Sequence, residues 1–334
     1  MRLSYSLSKN ILETAVGGIF NKFSIKNRRN VFFFDDIPLT YVKECEKEGY
    51  ENEIRIISQK WMIMALKQLI PSVVKKLLPQ TFFNFILKKI WKNMGYMDDI
   101  QLIKKDEIVK IKTKNELNVK AIGINNFSIG VYMGVLSALY ESQIEVIDVE
   151  KLNNICIYSF KIKNEPFFVE SKDKKLYDKL NYLPEDKGSS LRDALKSHIF
   201  QLKRNKIYFR GRGIGIIENT FFHLVGNWGI LLERVSQISY NYFKEIVEES
   251  SSKEKLILLK TLLQVMGWGV VTIVKNQNEI IVEIKNPPYG FQTEKDNWDF
   301  LIRTILGYLW LIDKNFKIKN VETEYKKVHV KYFV

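Results

Sequence analysis

Apolar residues recur at helical spacing in two long runs. From Gln59 to Leu78 they follow a 3.6-residue period that stops at Pro79, and Thr81 to Asn93 resumes it up to Gly95, which predicts a helical hairpin. A second hairpin is predicted around Ile238–Ile246 and Ile257–Met266, where Ser250-Ser251-Ser252 makes the break that Pro79 makes in the first. Past each hairpin the period changes to two. Ile108, Val109 and Ile111, then Val119, Ala121, Ile122 and Ile124, predict paired strands, as do Val270–Val274 and Ile280–Ile284 across a Lys275–Glu279 loop. Helices are predicted next over Phe127–Tyr140 and Asn297–Ile312. Closing strands are predicted over 144–149 and 154–161, and over 316–321 and 327–334. Upstream, helical spacing at Leu7–Phe20 and at Leu191, Leu195 and Ile199 precedes the strands Val31–Phe34 and Ile207–Phe209. Antiparallel strands packed with helices make an α+β fold.

The pattern is written twice, at an offset of 172 residues. Met94-Gly95-Tyr96 recurs as Met266-Gly267-Trp268, and Asp148-Val149-Glu150 as Asn320-Val321-Glu322. Upstream of the first anchor Leu66, Ile70, Val74, Phe85 and Ile90 fall without a gap on Ile238, Tyr242, Ile246, Ile257 and Leu262. A period this long means whole domains. The expected organisation is a first copy over 1–163, a linker or extension over 164–188, and a second copy over 189–334. A fused tandem of this kind can reproduce a homodimer by burying its two helical hairpins against each other, and a homo-oligomer is compatible with it.

Composition changes the picture in two places. Cys45 and Cys156 are the only cysteines, too few for a disulfide framework or a four-cysteine zinc site, which points to a reducing, cytoplasmic setting. No apolar run reaches the ~18 residues of a membrane span and no signal peptide opens the chain. Lys and Arg exceed Asp and Glu by 52 to 38, a formal charge of +14. Dispersed lysines on solvated faces account for much of that charge. Two local clusters, Arg28-Arg29 and Lys203-Arg204 with Arg210 and Arg212, are the candidate anion or nucleic-acid contacts. They support the alternative function, a basic nucleic-acid or ribonucleoprotein-associated factor.

Met266-Gly267-Trp268-Gly269, the strands ending at Lys285-Asn286-Pro287-Pro288, a helix containing Gly307, and Val321-Glu322 together resemble the 4-vinyl reductase domain family. The first copy carries the helix signature as Gly130-Val131-Tyr132-Met133-Gly134-Val135-Leu136, and is similar to the related subunit fold of the TRAPP vesicle-tethering complex. The resemblance covers about residues 54–162 and 207–334. It implies a domain that binds small hydrophobic molecules, often in pairs or as a sensor module. Many members carry cysteines after the last glutamate. Here Glu322-Thr323-Glu324-Tyr325 and Glu150-Lys151-Leu152-Asn153 stand in their place, so no metal and no cofactor are expected.

No constellation of catalytic residues emerges. Gly211-Arg212-Gly213-Ile214-Gly215 meets neither the dinucleotide nor the P-loop spacing and reads as a turn or bulge. His198, His223 and His329 share no metal spacing, and Cys156 reads as a small buried strand residue. Asn286-Pro287-Pro288-Tyr289 matches a step of adenine methyltransferases, but the surrounding pattern is not theirs, and the prolines read as a strand terminator. The aromatics Trp268, Tyr289, Tyr308, Trp310, Tyr96 and Tyr132 are the candidate lining of an apolar ligand pocket, against the alternative of ordinary core. The expected function is therefore a non-catalytic sensor or scaffold that binds a small apolar ligand or a protein partner.

Overall fold

The structure is a computed structural model and describes residues 21–23, 28–67, 79–166, 174–180, 191–203, 206–247, 249–291 and 296–334. The predicted helix at 7–20, most of the 164–188 linker and Arg204 lie outside these residues. The chain divides into two compact units, one built mainly from 42–171 and the other from 11–41, 172–290 and 294–334. Helix α1 (Asp36–Lys47) is the stretch along which the chain passes from the second to the first.

In the first unit, α2 (Glu51–Lys67) opens with Glu51 and Glu53 at the positive end of its dipole and buries Ile54, Ile57, Ser58, Trp61 and Met62. A second helical stretch comprises α3 (Pro79–Phe82), a π-helical turn (Phe83–Leu87) and α4 (Lys88–Asn93). β3 (Asp99–Lys105), β4 (Ile108–Lys114), the short α5 (Leu117–Ile122), α6 (Asn126–Tyr140), β5 (Ser142–Leu152) and β6 (Ile155–Pro166) follow. The sheet is antiparallel, in the order β3-β4-β6-β5. Helix α6 starts where the Asn125 side chain accepts a hydrogen bond from Ser128 N (2.8 Å). Gly134 sets how closely α6 meets α2, because a Cβ there would lie 2.5 Å from Gln59 O and 2.7 Å from Met62 Cβ.

The expected strand at Val119–Ile124 is instead α5. Its alternation does not follow burial, since Val119 is buried while Ala121 and Ile124 are exposed. β4 is already paired on both sides, by β3 and β6, so it offers no free edge to a further strand.

In the second unit, α7 (Lys174–Leu180), α8 (Leu191–Lys196), β7 (Phe200–Lys203), β8 (Lys206–Phe209), β9 (Arg212–Glu218) and α9 (Thr220–Trp228) lead to the hairpin of α10 (Leu232–Ile246) and α11 (Ser252–Val265). Ser251 and Glu254 form a reciprocal capping box at the start of α11, so the serine triplet is a helix start as well as a break. β10 (Val270–Lys275), β11 (Glu279–Lys285), α12 (Asp299–Leu309), β12 (Lys317–Glu324) and β13 (Lys327–Phe333) complete it. The sheet order is β10-β11-β13-β12, the order of the first unit.

The agreement extends to single hydrogen bonds. Gly95 N donates to Lys92 O and Tyr96 N to Trp91 O (both 3.1 Å), while Gly267 N donates to Gln264 O and Trp268 N to Leu263 O (both 3.0 Å). Both glycines turn left-handed, at φ 76° and 89°, which explains why the step is Met-Gly-aromatic in each half. The first helices do not keep the 172 offset. Gly307 packs on Ser236 O and Ser239 Cβ as Gly134 packs on Gln59 O and Met62 Cβ, an offset of 177 on that helix.

A further sheet in the second unit has the order β1 (Asn21–Phe23), β2 (Arg28–Phe34), β9, β8, β7. β2 brings Val31, Phe32, Phe33 and Phe34 into that unit's core, all at most 4% exposed. Residues 21–23 and 28–41, expected within the first copy, cluster here with the second unit.

Candidate functional site

Phe32 N donates to Met266 O (2.8 Å), which lays β2 against the Met-Gly-Trp turn. Beneath it is a cavity of about 20 Å³ between Phe33 and Phe34, Leu259 to Met266 of α11 and its turn, Trp268, and Ile305 and Tyr308 of α12. That is room for about one water molecule. Phe33 lies 5.7 Å from the Trp268 ring and 4.7 Å from Phe222, and Phe34 lies 5.0 Å from Phe243. Trp268 is 1% exposed, and its indole N–H finds no hydrogen-bond acceptor. Burial pushes the Tyr308 hydroxyl above its usual range, and that hydroxyl donates to Lys255 O (2.9 Å).

The other aromatics named from sequence do not join them. Tyr289 packs edge-on against Trp298 (5.6 Å), which in turn packs on His223 (4.5 Å). Trp310 donates from Nε1 to Phe316 O (2.9 Å). In the first unit Tyr132 is buried against Tyr158 (4.7 Å), and Tyr96 accepts from Leu117 N at its carbonyl (2.8 Å). Trp268 and Tyr308 therefore share a wall, while Tyr289, Trp310, Tyr96 and Tyr132 stand in separate packing environments.

The basic cluster is largely engaged by the protein itself. Arg210 and Gly211, at φ 47° and 82°, form the tight turn joining β8 to β9. Arg210 Nη1 donates to Ile246 O (2.6 Å), and Arg212 reaches Glu245 (2.5 Å) and Asp36 (3.4 Å). Lys206 pairs with Asp35 (2.7 Å), both side chains nearly buried. Gly213 makes room for that pair, since a Cβ there would lie 2.6 Å from Asp35 Oδ2. Burial raises the Asp35 carboxyl and the Lys206 charge opposes that rise. Lys203 lies over the Tyr208 ring at 5.8 Å. Arg28 and Arg29 pair with Phe23 and Lys22 at one end of β2, while Phe34 at the other end pairs with Ile214, so the two clusters occupy opposite ends of the β2–β9 pair.

Two polar clusters went unread in the sequence. In the second unit His223, 1% exposed, faces Asn297 O with Nδ1 (2.8 Å) and Pro288 O with Nε2 (3.0 Å), holding the segment after β11 onto α9. In the first unit Glu116, 5% exposed, accepts from Ser128 Oγ (2.6 Å), Thr113 Oγ1 (3.0 Å) and the Tyr158 hydroxyl (3.1 Å), and Tyr132 also bonds to it. Burial raises the Glu116 carboxyl, and these hydrogen bonds only partly offset it. The positions 172 further on hold Pro288, Thr304 and Val330 in place of Glu116, Tyr132 and Tyr158. No local motif marks the cage, because its members are spread over four elements. Among the described residues no group of three or more His, Cys, Asp or Glu is placed to hold a metal ion, and no helix is long and apolar enough to cross a membrane.

No family model and no solved structure matches this chain. Part of it is similar to the chemotaxis protein CheA of Borreliella burgdorferi, at 24% identity over 217 residues. That stretch is 63% of this chain and 24% of the length of that protein.

Proposed function

We propose that the protein is a non-catalytic sensor or scaffold built from two copies of a 4-vinyl-reductase-like domain, the second of which takes a small apolar ligand beside its Met-Gly-Trp turn. The observation that carries this reading is the apolar cavity under β2, lined in part by Trp268, whose buried indole N–H has no hydrogen-bond acceptor. A buried donor without an acceptor costs about 1–3 kcal/mol, which a carbonyl or ether oxygen on an otherwise apolar molecule would offset. The cavity is too small for such a ligand as it stands, so binding requires Phe33 and Phe34 to shift. That requirement couples occupancy to β2 and to the chain that continues from it into α1. The similarity to a chemotaxis protein supports a signalling setting.

The test is titration with a homologous series of short-chain ketones and ethers, followed by tryptophan fluorescence and native mass spectrometry. A bound adduct is expected, with affinity reduced about tenfold in Trp268→Phe, equivalent to one hydrogen bond of about 1.4 kcal/mol. Absence of any adduct across the series, or binding indifferent to Trp268→Phe, sinks the proposal.

A further inference from the structure

The outward face of the first unit's sheet carries a charge arrangement that is antisymmetric about one strand. Reading across the sheet in register from β3 to β5, one row is Gln101, Lys112, Ile157, Glu150 and the next is Ile103, Lys110, Ser159, Asp148. A third row is Asp99, Lys114, Ile155, Leu152. The other face buries Ile100, Leu102, Val109, Ile111, Tyr158 and Phe160, so these rows point away from the core. Lys110, Lys112 and Lys114 on β4 and Asp148 and Glu150 on β5 are all exposed, and none of the five forms an ion pair among the described residues. Between them runs β6, with Ile155 and Ile157 half-buried and Ser159 buried; Leu152 at the margin is 59% exposed and Ile103 45%.

A twofold axis laid along β6 between two facing copies exchanges the two sides of the sheet and keeps each row at its own level. It sets Lys112 over Glu150 of the second copy, Lys110 over Asp148 of the second copy, and Ile157 on itself. We propose that this sheet face is the interface of a homodimer, with the occupant a second copy of the same chain in that orientation. Self-complementarity under a twofold is what an isologous contact requires.

The corresponding face of the second unit lacks it. There the row Thr272, Glu283, His329, Glu322 places acids on both sides of β13, so the same operation would set Glu283 over Glu322. Edge pairing is also discouraged in the first unit. Asn84 bonds both backbone groups of Leu102 on the β3 edge, and β5 carries two register shifts. With the axis along β6, the strands β4, β6 and β5 are covered and β3 overhangs, so three strands spaced about 4.8 Å apart and about 25 Å long present roughly 360 Å² per copy. The total of roughly 700 Å² is below the usual range of stable specific complexes, so the dimer is weak and governed by charge.

Sedimentation equilibrium on the full chain tests this with three proteins: wild type, K110E/K112E, and D148K/E150K. All substituted side chains are exposed, and circular dichroism of each variant checks that the fold is kept. Wild type is expected to dimerise, with the dissociation constant rising at least about tenfold between about 0.05 M and about 0.5 M salt. Each variant alone is expected to be monomeric, having two rows of like charge, and an equimolar mixture of the two to form a heterodimer. A wild-type chain that stays monomeric at about 100 µM, variants that dimerise like wild type, or a mixture that stays monomeric would each overturn the assignment.

Discussion

Glu116 shows how one buried side chain sets a pH dependence. Its carboxyl is raised in the folded state, chiefly by burial, so the folded chain holds that proton to higher pH than the unfolded chain does. Its contribution to stability is fully present below the unfolded carboxyl range near pH ~4.3 and is lost as pH rises through the folded value, at up to about 1.4 kcal/mol per pH unit. Glu116→Gln keeps the shape and removes the charge. Urea unfolding of both proteins from pH 4 to 8 is expected to show wild type losing stability relative to the variant as pH rises, and parallel curves would exclude the effect. None of this was legible in the sequence. Glu116 sits in an unremarkable polar stretch, and Thr113, Ser128, Tyr132 and Tyr158 become its neighbours only when β4, α6 and β6 come together. Met94-Gly95-Tyr96 and Met266-Gly267-Trp268 were legible because a left-handed turn needs glycine at one fixed step, a local requirement that a sequence cannot hide.

At the scale of the element, the last strand β13 alternates buried and outward residues as its period of two requires, and α6 and α12 are buried on most of their surface, whereas β12 has no buried residue. Where period and burial part company, as in α5, the periodicity misled. Helices α1 and α9 went unread for a different reason: Asp35-Asp36 and Asn219 at their starts serve turns as readily as helices. Asn84 is likewise invisible as a strand partner, yet its side chain donates to Leu102 O (2.9 Å) and accepts from Leu102 N (2.8 Å), closing the β3 edge as a neighbouring strand would. The adjoining π-helical turn holds Phe83 buried and leaves Phe85 65% exposed. Asn84→Ala is expected to cost about 1–2 kcal/mol, two hydrogen bonds at a partly buried site. It should also speed amide exchange at Leu102 at least about tenfold without affecting Val109 on the central strand. Unchanged exchange at Leu102 would mean that the edge is closed by something other than this side chain.

For the whole molecule, the distance between β2 and its partners decides how the chain can be cut. The run Val31-Phe32-Phe33-Phe34 announces a strand, but nothing local announces that it pairs with Ile214–Ile217, 180 to 186 residues away. A boundary at residue 163 leaves β2 with the first copy, whereas β2 clusters with the second unit, and a four-stranded sheet of the same strand order recurs in both units. Phe32, Phe33 and Phe34 are 1%, 3% and 4% exposed, and burying three such rings stabilises by about 4.5–9 kcal/mol. That is of the order of the whole stability of a domain, about 5–15 kcal/mol. A fragment of residues 172–334 is thus expected to lack cooperative unfolding, with its tryptophan emission shifted to the red because Trp268 loses Phe33 from its face. A peptide of residues 21–41 added in trans, or fused ahead of residue 172 through a flexible linker, should restore both the transition and the blue emission. Calorimetry and fluorescence decide it. If 172–334 alone unfolds cooperatively with a stability within about 1 kcal/mol of the fused form, β2 is an accessory to that core and contributes far less than its burial implies.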